Sequence, residues 1–348
     1  MSHGLVHLMR PKTFLPAVLI AVRLLCAAFS SASAQITISG AGATSPSILY
    51  AKWFEAYSKV DPSVQFTYEA SGSGTGQRLI VDQAVDFGAS DSPMSDEALA
   101  RAPRKILHIP MVAGAVVVSF NLSGISTLKL DGETLAAIYL GKVAQWNDPQ
   151  IARLNPGVKL PDSDIVVVHR NESSGTTFIF TEYLSTVSPE WKNQVGKGTM
   201  VNWPVGLGAA GNEGVNAKVK ETPGSIGYFE LIYVRKNPLP FAEIKNHEGY
   251  YVKASLDSVT KALSTATIPD DFRFSIVDAP GSEPYPIASA TWLLIYEKPR
   301  DPATGKKLIE FLRWAETDGQ KMASDLSFAP LPDSLRRRVL DLIGALNP

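Results

Sequence analysis

Three times along this chain a run of β-branched residues enters a stretch of glycine, serine and threonine and leaves it as the start of a helix. In the first unit, Ile36-Thr37-Ile38-Ser39 leads into Gly40-Ala41-Gly42-Ala43-Thr44-Ser45, and Pro46 comes next, where proline suits a first helical position. Ser45 is the expected N-cap, which leaves the Thr44 hydroxyl and nearby amides pointing beyond the helix end. Leu49, Trp53 and Tyr57 then recur at helical spacing and predict one apolar face. The second unit ends a strand at Tyr68 and passes through Ser71-Gly72-Ser73-Gly74-Thr75-Gly76 to a helix expected from Gln77. The third runs from residues 165–168 through His169-Arg170-Asn171-Glu172-Ser173 to Ser174-Gly175-Thr176, where an aromatic-rich helix begins.

The same alternation fills the rest of the chain. Strands are expected at residues 36–39, 64–68, 114–121, 164–169, 225–230 and 291–296, and helices at 46–59, 77–85, 132–140, 176–185, 256–266 and 305–317. That order predicts an α/β fold. There is no tandem repeat and no low-complexity linker, so a second lobe has to arise by the chain crossing over and returning. With 348 residues, 45% of them hydrophobic, the chain is long enough to bury a substantial core.

A helix N-terminus presents unpaired N–H donors and partial positive charge, and binds anions without many formal cations. Three such ends and one arginine, Arg170, could surround a small oxyanion. A single capped turn carries little weight by itself; the recurrence gives the pattern its meaning. Rival chemistries lack their parts. No loop contains Gly-Lys-Ser or Gly-Lys-Thr, so a nucleotide-binding P-loop is unsupported. The formal net charge is −1 with 19% charged residues and no basic block, which argues against nucleic acid. No His/Cys cluster stands at metal-ligand spacing, and no cofactor motif is present.

Residues 1–34 differ in character from the rest of the chain. Arg10 and Lys12 precede an apolar run from Phe14 to Phe29, and Ser30-Ser31-Ala32-Ser33-Ala34 closes it with small residues. That is the layout of a secretory signal peptide cleaved near Ala34, with Gln35 as the new N-terminus. Pro16 and Arg23 interrupt the run, which is too short for a spanning helix. Cleavage removes three of the 33 basic residues and none of the 34 acidic ones, leaving a mildly acidic chain. The single cysteine, Cys26, departs with the leader, and Arg23 and Leu25 are poor lipid-attachment neighbours for it.

At several stretches the sequence resembles the phosphate-binding component of the bacterial ABC-type high-affinity phosphate importer, a periplasmic solute-binding protein. These are Gly40-Ala41-Gly42-Ala43-Thr44, Asp86-Phe87-Gly88-Ala89-Ser90-Asp91, Tyr139-Leu140-Gly141-Lys142 with Trp146, and Ser174-Gly175-Thr176. Trp203-Pro204-Val205-Gly206-Leu207-Gly208, Pro223-Gly224-Ser225-Ile226-Gly227-Tyr228 and Leu331-Pro332-Asp333 continue the match in order. The resemblance implies a two-lobed periplasmic binding protein fold of type II, each lobe a mixed sheet flanked by helices. Lobe 1 would be residues 35–113 plus 286–348, and lobe 2 residues 114–285. The crossovers fall near residues 113–117 and 285–287. It also implies phosphate uptake with a membrane permease as partner, and no catalysis.

Carried over by motif, the phosphate contacts would be Thr44, Ser45, Ser73 and Asp91 from one lobe and Arg170, Ser174, Gly175 and Thr176 from the other. Ser45 departs from an aromatic residue common in the family, a swap that a backbone N–H contact tolerates. Glu172 stands where the family has an acidic partner for the arginine. Chemistry agrees with these roles: Arg170 is a planar, permanently charged fork suited to two oxygens at once. Asp91 is out of place beside most anions, but phosphate near neutral pH keeps a proton that a carboxylate can accept. Sulfate brings none. Two alternatives differ in kind. Sulfate or molybdate binding keeps the fold, and Asp91 argues against it. A serine hydrolase or phosphatase using Ser73 or Ser174 needs a base, yet His169 should point away from Arg170 and its cleft. His108 and His247 read as packing and surface residues, and Asp96-Glu97 as a helix first turn.

Overall fold

The computed structural model describes residues 1–4 and 35–346, so most of the leader lies outside the described residues. The strands are β1 (Ile36–Gly42), β2 (Val64–Glu69), β3 (Phe87–Ser90), β4 (Ile106–Phe120), β5 (Lys129–Leu130), β6 (Val166–Arg170), β7 (Leu207–Ala209), β8 (Ser225–Glu230), β9 (Glu243–Lys245), β10 (Tyr251–Val252), β11 (Ala288–Tyr296) and β12 (Ala329–Pro330). Hydrogen bonding orders the main sheet β2-β1-β3-β11-β4-β8-β6-β7, with β12 joining β4; β10, β9 and β5 form a small separate sheet.

The long strand β4 belongs to both ends of this array. Residues 106–115 pair antiparallel with β11, and residues 116–120 pair antiparallel with β8. The partner changes between Ala115 and Val116, where Val116 N–H donates to the Ile287 carbonyl. On one side of that point β1 is parallel to β2 and β3; on the other β6 is parallel to β7 and β8. The result is two mixed sheets sharing one strand, each clothed in helices.

Four helices bear on the site: α1 (Ser47–Val60), α2 (Ser73–Val81), α3 (Gly175–Val187) and α4 (Gly211–Glu221). Helix α1 buries Leu49, Tyr50, Trp53 and Tyr57, the predicted face plus one aromatic neighbour, and Trp53 Nε1–H donates to the Gly319 carbonyl at 2.9 Å. Helix α3 buries Phe180, whose ring stacks on Tyr228 of β8 at 4.3 Å. The apolar periodicity thus seats each helix against its own sheet, and the polar turn before it is left at the sheet's edge.

Three expectations need correction. Helix α2 begins at Ser73, not Gln77, and ends at Val81, with Gln83 at φ 57° closing off the chain. The glycines of that first turn serve close approach: a Cβ on Gly76 would lie 2.7 Å from the Ala41 carbonyl oxygen and 2.6 Å from that of Ala89. Ser45 is not the cap of α1. Pro46 occupies that position without a side-chain bond, and Ser47 Oγ–H donates to the Thr44 carbonyl instead. Strand β4 starts eight residues earlier than the expected 114, at Ile106, because Pro110 argues against a strand when only the sequence is considered. The sheet accommodates it where the β4–β11 register shifts, between Thr291 and Trp292.

Candidate functional site

The N-termini of α1, α2, α3 and α4 converge where the two sheets meet. Each predicted phosphate contact is buried there, and Glu172 beside them is half-buried. Thr44 and Ser45 lie between β1 and α1, Ser73 opens α2, and Asp91 follows β3; Arg170 ends β6, and Ser174, Gly175 and Thr176 open α3. Contacts cross the cleft directly. Gly74 N–H donates to the Ser173 carbonyl at 3.1 Å, and a Cβ on Gly175 would meet Ser73 Oγ at 2.3 Å and Asp91 Cβ at 2.7 Å. Only a glycine allows α3 to come this near to the other half.

The first turn of α3 is set up as a donor. Ser174 Oγ caps Thr177 N–H at 3.1 Å, and Phe178 N–H closes onto the Ser174 carbonyl. The amides of Gly175 and Thr176 have no partner within the helix. Ser73 Oγ accepts from Asp91 N–H at 3.1 Å, so its own proton is free to be donated. Ser45 Oγ–H turns away to Glu230 Oε2 at 3.2 Å, so only its backbone N–H is offered to a ligand.

Arg170 is buried beneath these amides. Its Nε and Nη2 both bond to Glu172 Oε1, the former at 2.7 Å, and its Nη1 donates to Thr176 Oγ1 at 3.3 Å. The Glu172 side chain, one methylene longer than aspartate, therefore reaches the arginine. Its Oε1 also receives Gly211 N–H at 3.0 Å, while Oε2 is buried without a hydrogen-bond partner in the protein. The pair fixes the guanidinium plane and leaves Nη1 free for a second bond.

Asp91 is the exception among the donors. It is buried, and Oδ1 has no hydrogen-bond partner in the protein. Burial pushes its carboxyl up to about 6, against the pull of the Thr291 hydroxyl and the Arg170 charge. At neutral pH it remains an ionised acceptor. An unsatisfied buried acceptor costs about 1 to 3 kcal/mol, more when charged, so Asp91 Oδ1 calls for a hydrogen-bond donor.

Two residues that sequence reasoning passed over complete the surroundings. Asn212, the second residue of α4, is fully buried; its Nδ2 donates to Thr44 Oγ1 at 2.8 Å and to Thr176 Oγ1 at 3.2 Å. Its signal was a fourth glycine-rich stretch leading to a helix, Gly206-Leu207-Gly208-Ala209-Ala210-Gly211, overlooked because the strand inside it is short. Glu230, at the end of β8, receives Ala115 N–H at 2.8 Å as well as the Ser45 hydroxyl. Burial first, and the Asp91 charge second, push it up to about 8. A glutamate ending a strand carries no such signal in sequence.

His169 and His108 serve packing, and His247 lies at the surface against Asp278. His169 stacks on Trp203 at 4.9 Å, with Nδ1 on the Arg170 carbonyl at 2.9 Å, and burial lowers its pKa. His108 Nε2 accepts Met94 N–H at 3.0 Å, and burial pushes it down to about 4. Asp96 and Glu97 occupy the first turn of the helix Asp96–Ala100, capped by Ser95. Among the described residues no three His, Cys, Asp or Glu side chains gather as a metal site, and no helix is long and apolar enough to cross a membrane.

Two sheets joined through a shared strand, with donor-rich helix ends facing each other over a buried carboxylate, define a two-lobed solute-binding protein. The family model described as "PBP superfamily domain" matches residues 27–318. A phosphate-binding protein structure from Stenotrophomonas maltophilia superposes with a TM-score of 0.69 at 22% identity, covering 88% of this chain and 93% of that one. An ABC-type phosphate transport receptor from Vibrio cholerae gives a TM-score of 0.58 at 17% identity, covering 85% and 100%. The phosphate-binding protein PstS of Pasteurella multocida is 40% identical over 327 residues, 93% of this chain and 94% of that protein. PstS of Methanocaldococcus jannaschii is 40% identical over 311 residues, covering 82% and 80%. The chain belongs to the PBP superfamily and, within it, to the family of the PstS phosphate-binding proteins.

Proposed function

We propose that this protein binds inorganic phosphate in the cleft between its lobes and delivers it to the permease of an ABC transporter, without chemical turnover. The observation that carries this reading is Asp91, a buried carboxylate oxygen left without a partner among hydroxyl, amide and guanidinium donors. Hydrogen phosphate answers both demands, accepting from the donors and donating its O–H to Asp91. The ligand contacts are Thr44, Ser73, Asp91, Arg170 and Ser174 by side chain, Ser45 and Gly175 by backbone N–H, and Thr176 by both, with Glu172 holding the arginine from behind.

The lobes on this reading are residues 35–113 with 286–346, and residues 114–285. In support, β4 changes its sheet partner between Ala115 and Val116. Export with loss of residues 1–34 rests on the leader's layout and on membership of a family with periplasmic members. The test of function is a thermal-shift panel of phosphate, sulfate and nitrate. Phosphate alone should raise the melting temperature, by an amount that grows with the logarithm of ligand excess over Kd, with no product formed from phosphate esters. Ester hydrolysis abolished by Ser73→Ala or Ser174→Ala would contradict the reading.

A further inference from the structure

The buried amide of Asn212 touches the site from both sides. It stands on α4 of the second lobe, and its Nδ2 donates to Thr44 Oγ1 of the first at 2.8 Å and to Thr176 Oγ1 of its own at 3.2 Å. The orientation of the amide is fixed by a third contact. Glu230 N–H lies 2.9 Å from Oδ1, and a backbone N–H can only donate, so that end of the amide has to be the oxygen. Both Asn212 N–H groups therefore point at threonine hydroxyls.

The consequence is a polarity for each hydroxyl. Thr176 Oγ1 receives Asn212 Nδ2 and Arg170 Nη1, the latter at 3.3 Å, which fills both of its acceptor positions. Its single proton is left to be donated; within the protein the available acceptor is Asn212 Oδ1, at the long distance of 3.4 Å and already engaged by Glu230. Thr44 Oγ1 likewise accepts from Asn212 and keeps its proton. A ligand offering only acceptor oxygens on that face finds two hydroxyls already turned as donors. Free hydroxyls could rotate and present lone pairs instead, which would repel an anion.

We propose that Asn212 is a positioning residue of the capture site: it makes acceptors of the Thr44 and Thr176 hydroxyls, one from each lobe, so that both protons are aimed at the bound oxyanion. The arrangement exists only when the lobes are together, because one amide has to reach both threonines. Asn212 thus couples closure to the donor state of the site. This rests on the oxyanion-binding reading above.

The experiment is calorimetric titration of phosphate into wild type, Asn212→Ala, Asn212→Asp, the double variant Thr44→Val/Thr176→Val, and that double variant combined with each Asn212 substitution. Loss of orientation in hydrogen bonds to a charged group should weaken Asn212→Ala by about 10- to 100-fold. Asn212→Asp keeps the shape but offers only acceptors, drawing both hydroxyl protons away from the ligand, and should weaken binding at least as much. In the valine background, where no hydroxyl remains to be oriented, the added Ala substitution should cost less than about threefold. Equal fold-losses in both backgrounds would overturn the proposal, because Asn212 would then act through the fold. So would wild-type affinity in Asn212→Ala or Asn212→Asp, or failure of both to fold as judged by melting without ligand. Wild type that binds no phosphate would remove the functional reading and this proposal with it, whereas tight wild-type binding with an unaffected Asn212→Ala removes the proposal alone.

Discussion

In a cleft that excludes water, Asp91 and Arg170 are each intelligible only through what faces them. Arg170 is the positive charge nearest the site, and its far side is committed to Glu172. Arg170→Ala should weaken phosphate binding by about 2 to 5 kcal/mol, the range for stripping one partner from a buried charge pair; Arg170→Lys should recover only part, since a point charge lacks the fork. Titration calorimetry reads both, and an unchanged Kd in the alanine variant would place Arg170 outside the binding machinery. Asp91→Asn keeps the shape, removes the charge and adds an amide donor that sulfate can accept. It should retain measurable phosphate binding while the phosphate-to-sulfate preference narrows by at least about tenfold, equivalent to about 1.4 kcal/mol. Competitive titration at one pH and salt concentration decides it. Most of these side chains were legible in the sequence because their types carry chemistry: a hydroxyl before a helix, an arginine after a strand. Asn212 and Glu230 were not, since what they do depends on partners 168 and 185 residues away that only the fold brings near.

At the scale of elements, the helix N-termini do the aiming and glycine permits their approach. Two glycines separate the roles. Gly76 packs inside one lobe, with a Cβ forced against the Ala41 and Ala89 carbonyls, so Gly76→Ala should destabilise the ligand-free fold by about 1 to 3 kcal/mol, read by denaturant unfolding. Gly175 packs across the cleft, where a Cβ would strike Ser73 Oγ and Asp91. Gly175→Ala should leave ligand-free stability within about 0.5 kcal/mol, as a surface change does, while phosphate affinity falls by at least about tenfold. A variant that binds normally would mean that the lobes need not come this close. Sequence periodicity marked the six expected helices and the six longer strands, because each buries one apolar face, but not the helices Gly211–Glu221 and Asp333–Ala345 or the short strands such as β3 and β7. It failed at the start of β4, where Pro110 masks a strand that the register shift tolerates, and at the start of α2, where glycines suited to a loop are helical.

Across the whole molecule, Glu230 sits where β4 changes partner, tying Ala115 of the shared strand to Ser45 at the donor turn. Its carboxyl is pushed from the ordinary 4.5 up to about 8 by burial and by Asp91. Between those values the closed protein holds a proton that the unfolded chain releases. Its contribution to stability is therefore complete below about 4.5 and is lost as pH rises through about 8. At saturating phosphate, wild type should melt progressively lower relative to Glu230→Gln as pH is raised from about 5 to about 9, because glutamine has no proton to lose. Parallel melting profiles would show that Glu230 is solvated in the closed form. The two-lobed fold was implied by the family resemblance, and the absence of a linker meant only that any second lobe had to form by a crossover. The sharing of a single strand was not foreseeable, because no local pattern marks a strand that serves two sheets. All these effects depend on one claim, that the closed cleft is built for an oxyanion carrying a proton. Calorimetric titration of the chain beginning at Gln35 with phosphate and with sulfate tests it most directly. The account predicts one phosphate per chain and sulfate weaker by orders of magnitude; equal affinities, or no heat with phosphate, would contradict it.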